Sequence, residues 1–241
     1  MKILKKLAAK QQNLYADGGA TLVVFGDSNT QGCFECFVNE QGQIDTVFDT
    51  EQSYGAKVKH ILQTLYPKAQ LNFINSGISG DNAANALARI ERDVLKYNPD
   101  LVILSFGTND AGAGLAGLEG YKNAMDKIFA RLKEAGCDVI FLSSVLKNCY
   151  VSAQLKEELL REIAKQQVAL VEQDMDALYF AEAEKLCQKY GFAFCDCHAK
   201  WKRMQACGVD TTGLLANHLN HPIRELHWLF ATSIVETIFE K

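Results

Sequence analysis

The chain has 241 residues, 48% of them hydrophobic and 22% charged, a size and balance that can bury the core of one sizeable domain, here expected to span residues 1–241. A formal net charge of −4 and a sequence pI of about 5.8 supply no pull toward nucleic acid or an anionic membrane surface. The expected partner is therefore a small molecule or a neutral polymer.

Residues 1–10 space their apolar side chains helically and interrupt them with lysines, so the continuous apolar stretch of a signal peptide is missing. No later segment reaches the length of a membrane span. With the eight cysteines read as reduced thiols that pack like small apolar residues, the expected compartment is the cytoplasm.

Five short runs rich in β-branched and aromatic residues follow, at 21–25, 71–75, 101–106, 138–143 and 192–196. Helix-patterned stretches lie between and after them, at 54–66, 81–96, 118–135, 152–190 and 222–239. This alternation predicts an α/β domain: a doubly wound, five-stranded parallel sheet with helices on both faces. Asn98-Pro99-Asp100, Gly136 and Gly191 stand where helices should stop before a strand. The stretch 152–190 is too long for one ordinary helix and reads as a helical hairpin beside the sheet.

The polar residues cluster at the strand ends. The first run closes in Gly26-Asp27-Ser28-Asn29-Thr30, the second in Asn75-Ser76-Gly77-Ile78-Ser79-Gly80-Asp81, and the third in Gly107-Thr108-Asn109-Asp110. Doubly wound sheets bind ligands outside the carboxyl ends of their strands, where the strand order reverses. A first strand flanked by the second and third would bring all three segments to one crevice. Ser28 could then be held above the sheet edge as a nucleophile, and the N–H groups of Ser28 and Gly80 and the amide of Asn109 could form an oxyanion hole. Such a serine needs a base. Of the five histidines, His221 stands in a polar loop, Asn217-His218-Leu219-Asn220-His221-Pro222, where it is rigidly placed yet expected to be open to solvent.

Together these blocks resemble the SGNH hydrolase superfamily, also called GDSL esterases and lipases, and they do so over most of the chain. The resemblance implies a three-layer α/β/α flavodoxin-like fold and a serine esterase acting on a small carboxylic ester, a short-chain acyl or O-acetyl group that can be borne by a carbohydrate. It makes Ser28 the nucleophile, Gly80 and Asn109 partners in the oxyanion hole, and His221 the base, with no cofactor and no metal. The last block departs from the family pattern, since His218 stands where an aspartate is usual. The orienter of His221 is then a backbone carbonyl, Asn217, or a distant acid such as Asp210 or Asp196, and the alternative to an esterase is a weakened or inactive descendant that binds or regulates.

Other features have blander readings. Gly112 to Gly117 fits a dinucleotide fingerprint, but the acid that should hold a ribose is misplaced, so a flexible loop bordering the crevice is expected. Cys33-x-x-Cys36 and Cys195-Asp196-Cys197-His198 read as packing residues rather than metal ligands. Asp27, Asp81 and Asp110 are expected to cap helices, His218 to line the pocket, and His227 and Trp228 to pack in the last helix.

Overall fold

The computed structural model describes residues 1–15 and 18–240. In chain order the elements are α1 (Lys2–Gln12), β1 (Ala20–Gly26), the one-turn α2 (Ser28–Gln31), β2 (Cys33–Val38), β3 (Ile44–Phe48), α3 (Tyr54–Leu65), β4 (Leu71–Gly77), α4 (Ala83–Asp93) and β5 (Leu101–Ser105). Then come α5 (Gly114–Glu134), β6 (Asp138–Leu142), α6 (Glu158–Glu172), α7 (Met175–Tyr190), β7 (Ala193–Cys195), α8 (Cys197–Ala206) and α9 (His227–Glu240).

The main sheet is parallel throughout, in the order β4-β1-β5-β6-β7. Each predicted apolar run is one of its strands. Because successive side chains of a strand face opposite sides, Leu22 and Val24 of β1 join one core layer and Val23 and Phe25 the other. Strands β5 and β6 divide in the same way, with Ile103 and Ile140 on the first side, Leu104 and Phe141 on the second. The first layer is closed by α1, α3, α8 and α9 through Leu7, Val58, Trp201 and Ile234, and the second by α4, α5 and α7 through Ile90, Phe129 and Tyr179. The chain reverses direction across the sheet at β1, which lies between β4 and β5 and so brings the three expected segments side by side.

Three features depart from the sequence reading. Residues 33–48 form an antiparallel hairpin, β2 with β3, which no expectation named. The stretch 152–190 is the expected helical hairpin, but only its second arm, α7, sends fully buried side chains into the main core, to which the first arm adds just the partly buried Leu170 and Val171 at its end. The first arm, α6, packs Leu160 and Ala164 in a separate small cluster with Leu219 and Val38. The last helix starts at His227 rather than at 222, because Pro222 and Ile223 are extended and engaged elsewhere: Pro222 bridges Leu215, and the Ile223 N–H donates to the Leu214 carbonyl at 3.0 Å. Among the described residues no helix is long and apolar enough to cross a membrane.

Candidate active site

Ser28 opens α2 directly after β1. Asp27 caps that turn, its carboxylate accepting from the Asn29 N–H at 3.0 Å, and Gly32 ends it with φ at 95°. The turn fits against the sheet because two glycines leave room. A Cβ on Gly26 would lie 2.1 Å from Thr30 Oγ1, and one on Gly77 would lie 2.3 Å from the Gln31 nitrogen. As the first helical residue, Ser28 keeps its backbone N–H without an intrahelical acceptor, pointing out of the turn.

His221 meets it across the crevice, with Nε2 3.0 Å from Ser28 Oγ. On the other side of the ring, Nδ1 lies 2.8 Å from the Phe34 carbonyl. A carbonyl can only accept, so Nδ1 carries the proton and Nε2 presents its lone pair to the serine hydroxyl, the tautomer a general base requires. The ring is buried, not open to solvent, and burial holds His221 down to about 4, opposed by the Phe34 hydrogen bond and the charge of Glu35. Asn29, a residue the sequence reading passed over, donates to Ser144 Oγ and to the Asn220 carbonyl, both at 3.3 Å, and so ties the serine turn to the histidine loop.

Ser28, Gly80, Asn109 and His221 line one crevice of about 480 Å³, together with the hairpin residues Cys36, Thr46 and Phe48. Gly80 sits in a turn with φ at 76° and nothing within 4 Å of where a Cβ would be, so its backbone is open to a ligand. Asn109 donates one amide hydrogen to the Asp81 carbonyl at 2.8 Å, which orients the group and leaves its second hydrogen available. A neighbouring space of about 420 Å³ shares Asn109, Ile163, Gln167 and Asn220 and continues past Gly112.

The candidates for orienting His221 separate clearly. The backbone carbonyl of Phe34 holds Nδ1. Asn217 serves the loop instead, its Oδ1 accepting from the N–H groups of Leu219, Asn220 and His221. Asp210 is exposed and bonded to the Tyr150 hydroxyl and the Gly213 N–H, and Asp196 caps α8 and accepts from Ser143. His218 has φ at 53° and is not part of the crevice wall, which Asn217, Leu219 and Asn220 form around it.

Charged groups the sequence reading missed lie behind the site. Arg89 of α4 is buried, pairs with Asp81 at 2.6 Å, and donates to the carbonyls of Ser76 and Gly26 at the ends of β4 and β1. Lys147 is buried too, joining Asp176 at 2.6 Å and the Thr108 carbonyl at 2.8 Å. Of the three acids expected to cap helices, Asp27 caps α2, Asp110 accepts from the Ala83 N–H at the start of α4, and Asp81 is instead the partner of Arg89. Asp27 is fully enclosed, which pushes its carboxyl up to about 7, with the charges of Asp110 and Asp81 adding to the effect.

The remaining motifs have structural places. Gly112 and Gly114 belong to a tight turn running into α5 rather than a loop, and Gly117 is packed against Ala113 and the Tyr179 hydroxyl. His227 is buried, with Nδ1 accepting from the Tyr54 N–H at 3.0 Å, whereas Trp228 is 41% exposed, beneath the Lys57 ammonium. Among the described residues no group of three or more His, Cys, Asp or Glu is arranged to hold a metal ion.

Residues 24–229 match the GDSL-like lipase/acylhydrolase family. An acetylxylan esterase of Geobacillus stearothermophilus is 34% identical over 92 residues, 38% of this chain and 40% of that protein. An arylesterase of Vibrio mimicus is 32% identical over 74 residues, 29% of this chain and 34% of that protein. The matched segments thus span no more than 40% of these relatives' length. In three dimensions a mutant acetyl-xylooligosaccharide esterase of Geobacillus superposes with a TM-score of 0.67 at 20% identity, covering 99% of this chain and 96% of that one.

Proposed function

The chain belongs to the GDSL-like lipase/acylhydrolase family, and from that membership we propose that it is a serine esterase that releases a short acyl group, an O-acetyl group on a carbohydrate above all. The observation that carries this reading is the 3.0 Å contact between His221 Nε2 and Ser28 Oγ, made with the imidazole in the tautomer that can accept a proton. The family supports ester chemistry, and the relatives named for acetylxylan support an acetylated carbohydrate as substrate.

In the first step Ser28 Oγ attacks the ester carbonyl as its proton passes to His221 Nε2. The Ser28 and Gly80 N–H groups and the Asn109 amide receive the charge that develops on the carbonyl oxygen. Collapse of the tetrahedral species breaks the bond to the alcohol, which takes the proton from His221 as it leaves. Water then adds to the acyl-enzyme by the same route, its proton going to Nε2 and returning to Ser28 as the acid departs. The Phe34 carbonyl holds the ring in place throughout and accepts a stronger hydrogen bond when the imidazolium forms.

The test is hydrolysis of p-nitrophenyl esters of rising chain length beside acetylated xylooligosaccharides, with fluorophosphonate labelling of the wild type and Ser28→Ala. The reading expects preference for acetyl esters, a labelled wild type, and an unlabelled variant that is inactive. A folded wild type that neither labels nor turns over any of these esters would reject it.

A further inference from the structure

Phe34, whose carbonyl accepts from His221, is followed in β2 by Glu35, and three residues beyond His221 comes Arg224. The guanidinium grips the Glu35 carboxylate as a fork, Nη1 to Oε1 at 2.7 Å and Nη2 to Oε2 at 3.1 Å. Its Nε reaches Asp49 Oδ2 at 3.1 Å, and the group lies 4.2 Å over the centre of the Phe34 ring. The two segments joined by the Phe34–His221 hydrogen bond are therefore joined a second time, beside it, by an ion pair. One guanidinium between two carboxylates also leaves this cluster with a net negative charge.

We infer that Glu35 and Arg224 are positioning residues for His221: their fork keeps the Phe34 carbonyl in register with Nδ1, and Glu35 supplies the negative charge that no acid at position 218 provides. The inference rests on the Ser28–His221 reading and adds to it a device built from β2 instead of from the histidine loop. Burial disfavours a charged imidazole at this site, and of the neighbouring charges that of Glu35 works in the opposite direction. The groups around the ring are Glu35 and Cys36 on β2, Arg224 and Asp49 beyond them, His227 on α9, and the Ser28 hydroxyl. Asp27 turns its carboxylate toward the Asn29 N–H beneath α2. Because Glu35 and Arg224 are partly exposed, solvent weakens but does not erase their effect on a buried ring.

The experiment is an NMR titration of the His221 ring in the full chain, its signal assigned by loss in His221→Asn, run beside steady-state kinetics. Glu35→Gln should lower the titration midpoint and Arg224→Met should raise it, each by about half to one pH unit, and the double variant should return toward the wild type. Arg224→Lys keeps the charge and loses the fork, so it should hold the wild-type midpoint while kcat falls about tenfold at unchanged KM. Midpoints that stay fixed, or that move the same way in the two single variants, would overturn the inference. If Arg224→Met does not fold, Glu35→Gln alone decides by the sign of its shift. A wild type without esterase activity would strike the proposed reaction and leave the ring titration to be judged by itself, so the two failures are distinct.

Discussion

Arg89 and Asp81 form a buried ion pair, at 2.6 Å, directly behind the turn that presents Gly80. The same guanidinium donates to carbonyls at the ends of β4 and β1, so a single side chain braces the Gly80 turn against the strand that leads to Ser28. Removing it strands the Asp81 carboxylate in a site closed to water. Arg89→Met should therefore cost about 3 to 5 kcal/mol of stability, measured by urea denaturation, and Arg89→Met/Asp81→Asn should cost clearly less than the single change. A double variant as unstable as the sum of the singles would show the pair to be uncoupled.

Two glycines of the site should respond to alanine in different ways. At Gly26 a Cβ has no space, lying 2.1 Å from Thr30 Oγ1 and 2.7 Å from the Ser105 carbonyl, so Gly26→Ala should destabilise by about 3 kcal/mol through overpacking. At Gly80 the space is open and only the positive φ resists, a cost of about 1 kcal/mol. If a substrate oxygen approaches that backbone, Gly80→Ala should lower kcat about tenfold or more while the fold survives. Unchanged turnover in a folded Gly80→Ala protein would remove Gly80 from the oxyanion hole.

This division between what packs and what reacts also marks what could be read from the amino-acid string. The five strands were legible because a parallel sheet covered on both faces demands short runs rich in apolar residues, and the three polar segments stood out because glycine, serine and asparagine gather directly where such runs end. His221 was legible from its loop. Its orienter was not, because a backbone carbonyl belongs to every residue and Phe34 carries no mark of the part it plays. Arg89 resembles any surface arginine of an amphipathic helix until β1 and β4 close over it. The hairpin had a readable pattern, Cys33 to Val38 and Ile44 to Phe48 around a turn with Gly42, but its strands are short, half-exposed and paired only with each other.

Asp27 and the buried histidines should impose opposite pH dependences on stability. Burial raises Asp27 to about 7, so the folded chain holds that proton more tightly than the unfolded chain. The resulting stabilisation is complete below the ordinary value of 3.8 and is lost as pH rises to about 7. His221 and His227 are held down to about 4 and about 3, so their contribution is complete above about pH 6.5 and is lost as pH falls toward those values. Asp27→Asn keeps an acceptor for the Asn29 N–H and removes only the first effect. Relative to the wild type it should gain about 2 to 3 kcal/mol between about pH 5 and pH 8, read from urea midpoints. A difference that does not change with pH would place the Asp27 carboxylate in an ionised state.

Phe48 bears on which esters the crevice accepts. It closes β3, 51% exposed, and forms part of the same wall as Cys36 and Thr46, facing the space beside Ser28. Half of its surface is already wet and its strand is held only by β2, so Phe48→Ala should change stability by no more than about 0.5 kcal/mol. A sugar or aryl group leaving from the ester would cover that ring in both the bound and the transition state. Truncation should then raise KM for aryl acetates or acetylated oligosaccharides about tenfold with kcat nearly constant. Ethyl acetate carries no sugar or aryl group to cover the ring and should be hydrolysed equally well by both proteins. Equal KM values for the large and small esters in the variant and the wild type would mean that the leaving group lies elsewhere, along the space that continues past Gly112 and Lys147.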